Sequence, residues 1–253
     1  MKITFLGTGT SQGIPLIGCR CEVCSSENKK DKRLRSSVHI EIDGLSLVID
    51  SGPDFRYQML RAGVVNLDAI LFTHGHKDHT AGFDDIRAYN FMQQRDMEVY
   101  CNDDVNAVLH KDFDYVFAAK KYPGVPKANI HIINNDSFEI QGVRITPILV
   151  YHHKMPVFGF RIGDFTYITD ANRIDAQEIE KIAGSKVLVL NALRRVQHIS
   201  HFTLDEAIDM SDKIGADKTY FTHISHQLGL HSLVSNEIPD NIELAYDGLT
   251  IEI

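Results

Sequence analysis

The sequence of 253 residues predicts an α/β protein in which two packed sheets carry helices on their outer sides. Three observations support this. Short apolar or alternating runs of strand length recur in both halves of the chain. Helix-patterned segments fall between several of them. No Pro/Gly/Ser-rich linker and no internal repeat divides the sequence, so residues 1–253 read as one domain.

Bulk composition narrows the functional classes. Hydrophobic residues make up 43% and charged residues 24%, an ordinary globular balance. No apolar run approaches the roughly 18 residues that a membrane helix needs, so no membrane partner is expected. Met1 to Gly7 reads as a first strand entering a turn rather than a signal peptide, and the expected compartment is the cytoplasm. With 26 basic against 34 acidic residues the net charge is −8, which argues against a long nucleic-acid footprint. A small anionic substrate stays possible, because local metal charge can outweigh the global sign.

Taken in order, strands are expected at Ile3 to Leu6, Val38 to Ile42, Leu45 to Ile49, Ala69 to Thr73 and Glu98 to Tyr100. Further strands follow at Ile130 to Ile133, Val143 to Leu149, Phe158 to Ile162, Phe165 to Thr169, Val187 to Leu190, Thr219 to Thr222 and Glu243 to Ala245. Helical periodicity marks Asp54 to Ala62, Phe83 to Phe91, Asp103 to Leu109, Asp175 to Ile182 and Leu204 to Ile214. Thr203-Leu204-Asp205-Glu206 fits a capping box at the start of the last. Gly7-Thr8-Gly9-Thr10-Ser11-Gln12-Gly13 lacks the third glycine of a dinucleotide fingerprint and the Gly-Lys-Ser/Thr of a Walker loop, so it reads as a tight loop beside the active site. Between Asp112 and Lys127, aromatics are mixed with lysines, which suits either a lid or subunit contact or a solvated loop with its rings tucked inward.

The chemistry concentrates in Leu71-Phe72-Thr73-His74-Gly75-His76-Lys77-Asp78-His79. Four potential metal ligands fall within six residues, directly behind an apolar strand. His74 and His76, two apart, leave an extended chain on the same side, and Gly75 lets the backbone turn. Imidazoles with a carboxylate suit zinc, manganese or iron. Further candidates close other apolar strands: His152 and His153 after Tyr151, Asp170 after Thr169, His223 after Thr222, and Asp50 after Ile49. Asp50 is placed to orient a ligand from behind. A second constellation is Cys19-Arg20-Cys21-Glu22-Val23-Cys24. In a reducing compartment such a cluster is more often a metal site than a disulfide framework. Three thiolates need a fourth ligand for tetrahedral zinc: His226 is preferred, His231 is the alternative, and Cys101 reads as a buried small hydrophobe.

The His-x-His-x-Asp-His pattern behind a strand resembles the metallo-β-lactamase superfamily of binuclear metal hydrolases. That resemblance implies an αββα four-layer sandwich. It also implies that His74, His76 and His153 hold one divalent ion, that Asp78, His79 and His223 hold another, and that Asp170 bridges the two. His153 rather than His152 follows from the family spacing, six residues before the glycine of a Phe-Gly pair, here Gly159; His152 remains the alternative. The Gly-Thr-Gly start, the Cys-x-Cys-x-x-Cys insertion around 16–35, and His226 three residues after His223 look like the PhnP-type cyclic-phosphate phosphodiesterases. His201-Phe202-Thr203, 22 residues before His223, resembles their His-x-Thr motif.

The implied activity is hydrolysis of a small cyclic or nucleotide-like phosphodiester, with two ions (zinc or manganese), a bridging hydroxide as nucleophile and one structural zinc. Two divalent ions less the charges of Asp78, Asp170 and a hydroxide leave net positive charge, suited to a phosphodiester anion. His201 and Asp78 are the expected catalytic residues. His201 would donate to a phosphate oxygen or protonate the leaving group; His198, lacking the threonine two residues on, is its rival. The family implies a homodimer. Neighbouring alternatives are a transfer-RNA 3′ processing endonuclease, which would need a basic glycine-rich arm that the sequence lacks, and a non-catalytic PqqB-like metalloprotein.

Overall fold

The computed structural model describes residues 1–253 and contains fifteen strands, β1 (Lys2–Gly7), β2 (Ser37–Ile42), β3 (Leu45–Ile49), β4 (Ala69–Leu71), β5 (Met97–Cys101), β6 (Ala128–Ile132), β7 (Phe138–Ile140), β8 (Val143–His152), β9 (Met155–Ile162), β10 (Phe165–Tyr167), β11 (Arg173–Ile174), β12 (Val187–Asn191), β13 (Lys218–Thr222), β14 (Ile242–Leu244) and β15 (Thr250–Glu252). One sheet runs β15-β1-β2-β3-β4-β5-β6, and the other runs β11-β8-β9-β10-β12-β13-β14, with β7 added beside β8. Each sheet is antiparallel along one half and parallel along the other: β3 to β6 in the first, and β10, β12, β13 and β14 in the second.

Three apolar layers show why the strands read as nearly continuous hydrophobic runs. Leu47, Ile49 and Leu71 of the first sheet meet Phe160, Tyr167 and Val189 of the second, forming the layer between the sheets. The alternate residues Val48 and Ile70 face outward onto Phe55 and Met59 of α1 (Phe55–Ala62) and onto Val105 and Leu109 of α2 (Asp103–Asp112). On the far side Leu188 and Leu190 pack on Ile182 of α3 (Ala176–Ile182) and on Leu204 and Ala207 of α4 (Leu204–Ile214). Sheets covered on both faces bury both sets of side chains, each full burial contributing roughly 1.5–3 kcal/mol. The result is the expected α/β four-layer sandwich.

Local chemistry sets the element ends. The capping box at Thr203 and Glu206 starts α4, and Gly215, in the left-handed region, ends it. The strand expected to reach Thr73 stops at Leu71, because the Thr73 N–H donates to the Asp50 carboxylate at 2.9 Å instead of to a neighbouring strand. The helix expected from Phe83 to Phe91 opens as a 3₁₀ turn over Phe83–Ile86 before its α-helical part. Between 112 and 127 the inward-tucked alternative holds for the rings of Phe113 and Phe117, which pack on Phe83, and Tyr115 donates to Asp84, while Tyr122 stays exposed.

The segment carrying the cysteines is tied to the C-terminal part of the chain by Arg33. Its guanidinium is buried, donates to Thr8 Oγ1 at 2.8 Å and lies 3.1 Å from His231 Nδ1. Burial pushes it down to about 10, against the attraction of Asp247 and Asp31. Removing one partner of a buried charge network leaves the others uncompensated. Arg33→Met is therefore expected to destabilise the fold by about 3–5 kcal/mol in urea unfolding, whereas a loss under about 1 kcal/mol would show that the network is peripheral.

Candidate metal centre

The parallel strands of both sheets end on one edge, and there the candidate ligands meet. In open parallel sheets, ligands bind beyond the carboxyl ends of strands. Asp50 follows β3, His74 and His76 follow β4, Asp170 lies three residues past β10, and His223 follows β13. Three of these turn corners in the left-handed region without being glycine: Asp50 at φ 66°, Asp170 at φ 55° and His223 at φ 55°. Each such residue costs roughly 1–2 kcal/mol, strain that persists only where surrounding structure over-determines it. Here each corner follows a strand and delivers a side chain into the same cluster.

Asp50 is fully buried. Its carboxylate accepts from the Thr73 N–H at 2.9 Å and the Thr73 hydroxyl at 2.8 Å, and it lies 2.7 Å from His79 Nδ1. That arrangement leaves His79 Nε2 facing Asp78 at 3.1 Å and Asp170 at 3.5 Å. His74 Nδ1 lies 2.9 Å from the Thr73 hydroxyl, while its Nε2 lies 3.0 Å from His76 Nδ1 and 3.7 Å from Asp170. His223 Nδ1 is 2.9 Å from Asp170 Oδ1. Gly52 makes the close approach possible, since a Cβ there would sit 2.0 Å from the Asp78 carbonyl oxygen. Gly75, expected as a turn, instead gives room to Val108 of α2, whose Cγ2 would lie 2.9 Å from its Cβ.

Charge inside this cluster is strongly coupled. Burial pushes Asp50 up, opposed by the charge of His79. Burial also opposes ionisation of Asp78, but the His79 imidazolium beside it holds the carboxyl well below the usual range. Asp170 is likewise held down by His223 and His79 against burial. His79 is held well up by Asp78, Asp170 and Asp50, although burial acts the other way. Burial and the charge of His79 drive His74 down.

The predicted ligands of the two active-site ions gather in two groups, with one exception. Asp78, His79, Asp170 and His223 offer donor atoms within 4.8 Å of one another, and so do His74, His76 and Asp170. His153 does not join them. It is exposed in the two-residue turn after the His152↔Met155 pair, and its N–H donates to Asn172 Oδ1 at 2.9 Å. His152 takes the inward place, its ring 5.1 Å from that of His76 and 4.5 Å from that of His201. The reason is register: β8 runs on to residue 152, so the inward histidine stands seven rather than six residues before Gly159. His201 is buried, with Nε2 3.7 Å from Asp170 Oδ2 and 3.3 Å from His223 Nε2, while the rival His198 lies outside it. Thr10, which no motif singled out, reaches His223 Nε2 at 3.1 Å from the opening glycine loop. The loop is expected beside the active site, but no pattern marks which of its hydroxyls reaches in.

The cluster fits divalent metal. Two buried ring nitrogens, His79 Nε2 and His223 Nδ1, lie beside carboxylates yet have no hydrogen-bond partner. A cation between them and the carboxylates would satisfy both, and the mixed imidazole and carboxylate donors suit zinc or manganese. The cysteine group fits a closed zinc site: Cys19, Cys21, Cys24 and His226 also place donors within 4.8 Å. The Cys19 and Cys21 sulfurs lie 3.5 and 3.3 Å from His226 Nδ1. The bond to His226 lowers the Cys21 thiol to about 6, whereas burial raises Cys24 to about 11. His231 is bound to Arg33 instead, and Cys101 is buried with its thiol pushed up to about 12.

Comparison with known proteins gives the chain relatives. A family model described as a beta-lactamase superfamily domain matches residues 46–224. An octanoyltransferase of Porphyromonas gingivalis is 38% identical over 252 residues, covering 98% of this chain and 51% of its own. The chain thus spans about half the length of that curated relative. A crystal structure of a new diphosphatase from the PhnP family is 39% identical, covers 100% of this chain and 97% of its own, and superimposes with a TM-score of 0.93. Zinc-bound PqqB from Methylobacterium extorquens, 21% identical with full coverage of both chains, shares the fold at a TM-score of 0.78.

The carboxylates that hold His79 up set the pH dependence of metal uptake. An imidazole raised above its ordinary value is protonated at neutral pH and must lose that proton to bind an ion. Uptake should release protons, and apparent affinity should rise from about pH 6 to about pH 8 in chelator competition. Affinity that is flat over this range would contradict the assignment. Asp50→Asn, which weakens the hold on His79, is expected to lower that affinity roughly 10–100-fold.

Proposed function

We propose a reaction on one premise: the chain belongs to the beta-lactamase superfamily and, within it, to the PhnP family. It is a metal-dependent hydrolase that cleaves a small phosphodiester, cyclic or nucleotide-like. The observation that carries this reading is the convergence of Asp78, His79, Asp170 and His223 with His74 and His76 at one sheet edge, with His201 beside them. The relative named a diphosphatase supports phosphate chemistry at this edge.

His74, His76 and His152 would hold one ion, Asp78, His79 and His223 the other, and Asp170 would bridge them. When bound, the ions supply Lewis-acid stabilisation of a phosphoryl group and lower the pKa of water to give a nucleophile at neutral pH. The chain's residues do the rest. Asp50 and Thr73 fix His79 and His74 from behind, so that their ring nitrogens point inward. Burial and the neighbouring His223 push His201 down to about 3, so it enters as a neutral imidazole and acts as a hydrogen-bond donor to a phosphoryl oxygen. Cys19, Cys21, Cys24 and His226 would hold a structural zinc within the insertion around 16–35. Its carrier segment sits on the outer apolar layer through Ile14, Val23 and Cys24. A homodimer is proposed from the family alone; no helix is long and apolar enough to cross a membrane.

A non-catalytic PqqB-like metalloprotein is the reading from a different class. Elemental analysis is expected to give about three divalent ions per chain, of which about one is lost in Cys19→Ala; about one in all would favour the non-catalytic reading. Turnover of bis(p-nitrophenyl) phosphate or a 2′,3′-cyclic nucleotide with added zinc or manganese is expected, and His201→Asn should lower kcat by roughly 10²–10⁴ with metal content intact. If no phosphodiester is turned over with either metal, the hydrolase reading fails.

A further inference from the structure

We propose that Ser200 is a positioning residue that sets the tautomers of both His201 and His152, so that one faces substrate as a donor and the other faces metal as a bare nitrogen. This rests on the reading of His201 as the donor in the proposed reaction. Three polar groups of Ser200, in the loop before α4, meet three imidazoles. Its carbonyl oxygen lies 3.0 Å from His152 Nδ1. A carbonyl only accepts, so Nδ1 of His152 must carry the hydrogen, which leaves Nε2 without one and free to ligate.

The hydroxyl acts on His201. Ser200 Oγ lies 3.3 Å from His201 Nδ1 and 3.2 Å from His198 Nδ1, and the Ser200 N–H donates to His198 Nδ1 at 3.3 Å. The backbone N–H already takes the lone pair of His198 Nδ1, so the hydroxyl hydrogen is left for His201 Nδ1. Accepting there, the neutral His201 ring carries its hydrogen on Nε2, the nitrogen 3.7 Å from Asp170 and aimed into the cluster. Ser200 is 7% exposed, so water does not readily replace its hydroxyl. His198, partly exposed, pins the serine from the outer side. The side chain that looked like a rival general acid therefore buttresses the residue that orients His201.

The test uses the full chain loaded with zinc. Nitrogen-15 NMR of the histidine rings, with His201 assigned by its loss in His201→Asn, should show a bare Nδ1 and a protonated Nε2. Ser200→Ala should mix the two tautomers, and Ser200→Thr, which keeps the hydroxyl, should restore the wild-type pattern. With bis(p-nitrophenyl) phosphate, Ser200→Ala should lower kcat about 10–100-fold while KM and zinc content stay within about twofold, with rescue by threonine. A protonated Nδ1 on His201 in the wild type, an unchanged tautomer in Ser200→Ala, or an unchanged kcat would each overturn the proposal. The spectroscopic readout stands even where no phosphodiester is turned over, so failure of this inference and failure of the hydrolase reading give different results.

Discussion

Two buried carboxylates and a third, half-buried one, meeting a single imidazole, constrain this molecule more than any other interaction. His79 sits with Asp50 2.7 Å from one ring nitrogen and with Asp78 and Asp170 at 3.1 and 3.5 Å from the other. Ionised carboxylates in a desolvated interior need compensating positive charge, and a cluster that loses it is worth several kcal/mol less. A proton on His79 and divalent cations among the carboxylates are alternative ways to supply that charge. Because each displaces the other, metal occupancy, protonation and local stability are linked at a single side chain.

That constraint explains the backbone around it. Asp50, Asp170 and His223 leave strands in the left-handed region, a conformation that their side chains do not favour. Ordinary strand ends would point alternate residues to the two sheet faces, into the apolar layers. The corner turns each polar side chain off the sheet face and out past the strand end, where donors from two sheets can meet. The same logic places glycine at 52, the position where the loop after β3 presses against the backbone of Asp78.

Much of this was legible in the amino-acid order because the ligands near one another in sequence share a loop. His74, His76, Asp78 and His79 need no tertiary information to be seen as a group, and the three cysteines show themselves the same way. Of the two histidines the sequence offers as a fourth ligand, His226 lies against the thiols while His231 is taken by Arg33. What sequence could not fix was the register of one hairpin. Whether His152 or His153 points inward depends on where β8 ends, and a slip of one residue reverses the faces of a strand. Thr10 and Ser200 were invisible for a different reason. The Thr10 hydroxyl acquires its role from a ring 213 residues away and the Ser200 carbonyl from one 48 residues away, so neither contact shows in the order of residues.

The two candidate metal sites are joined by a short piece of backbone. His223 faces Asp170, His226 faces the cysteines, and Ile224 between them exchanges hydrogen bonds with the opening loop, its N–H donating to the Thr8 carbonyl and its own carbonyl accepting from the Thr10 N–H. The loop that carries Thr10 to His223 is therefore paired with the very residues that separate one site from the other. Its other edge is held by Arg33, which reaches Thr8 and His231. A closed cysteine site at Cys19, Cys21, Cys24 and His226 would fix one end of this segment. With β13 fixing the other, the His223 ring is held in place without a helix or a disulfide.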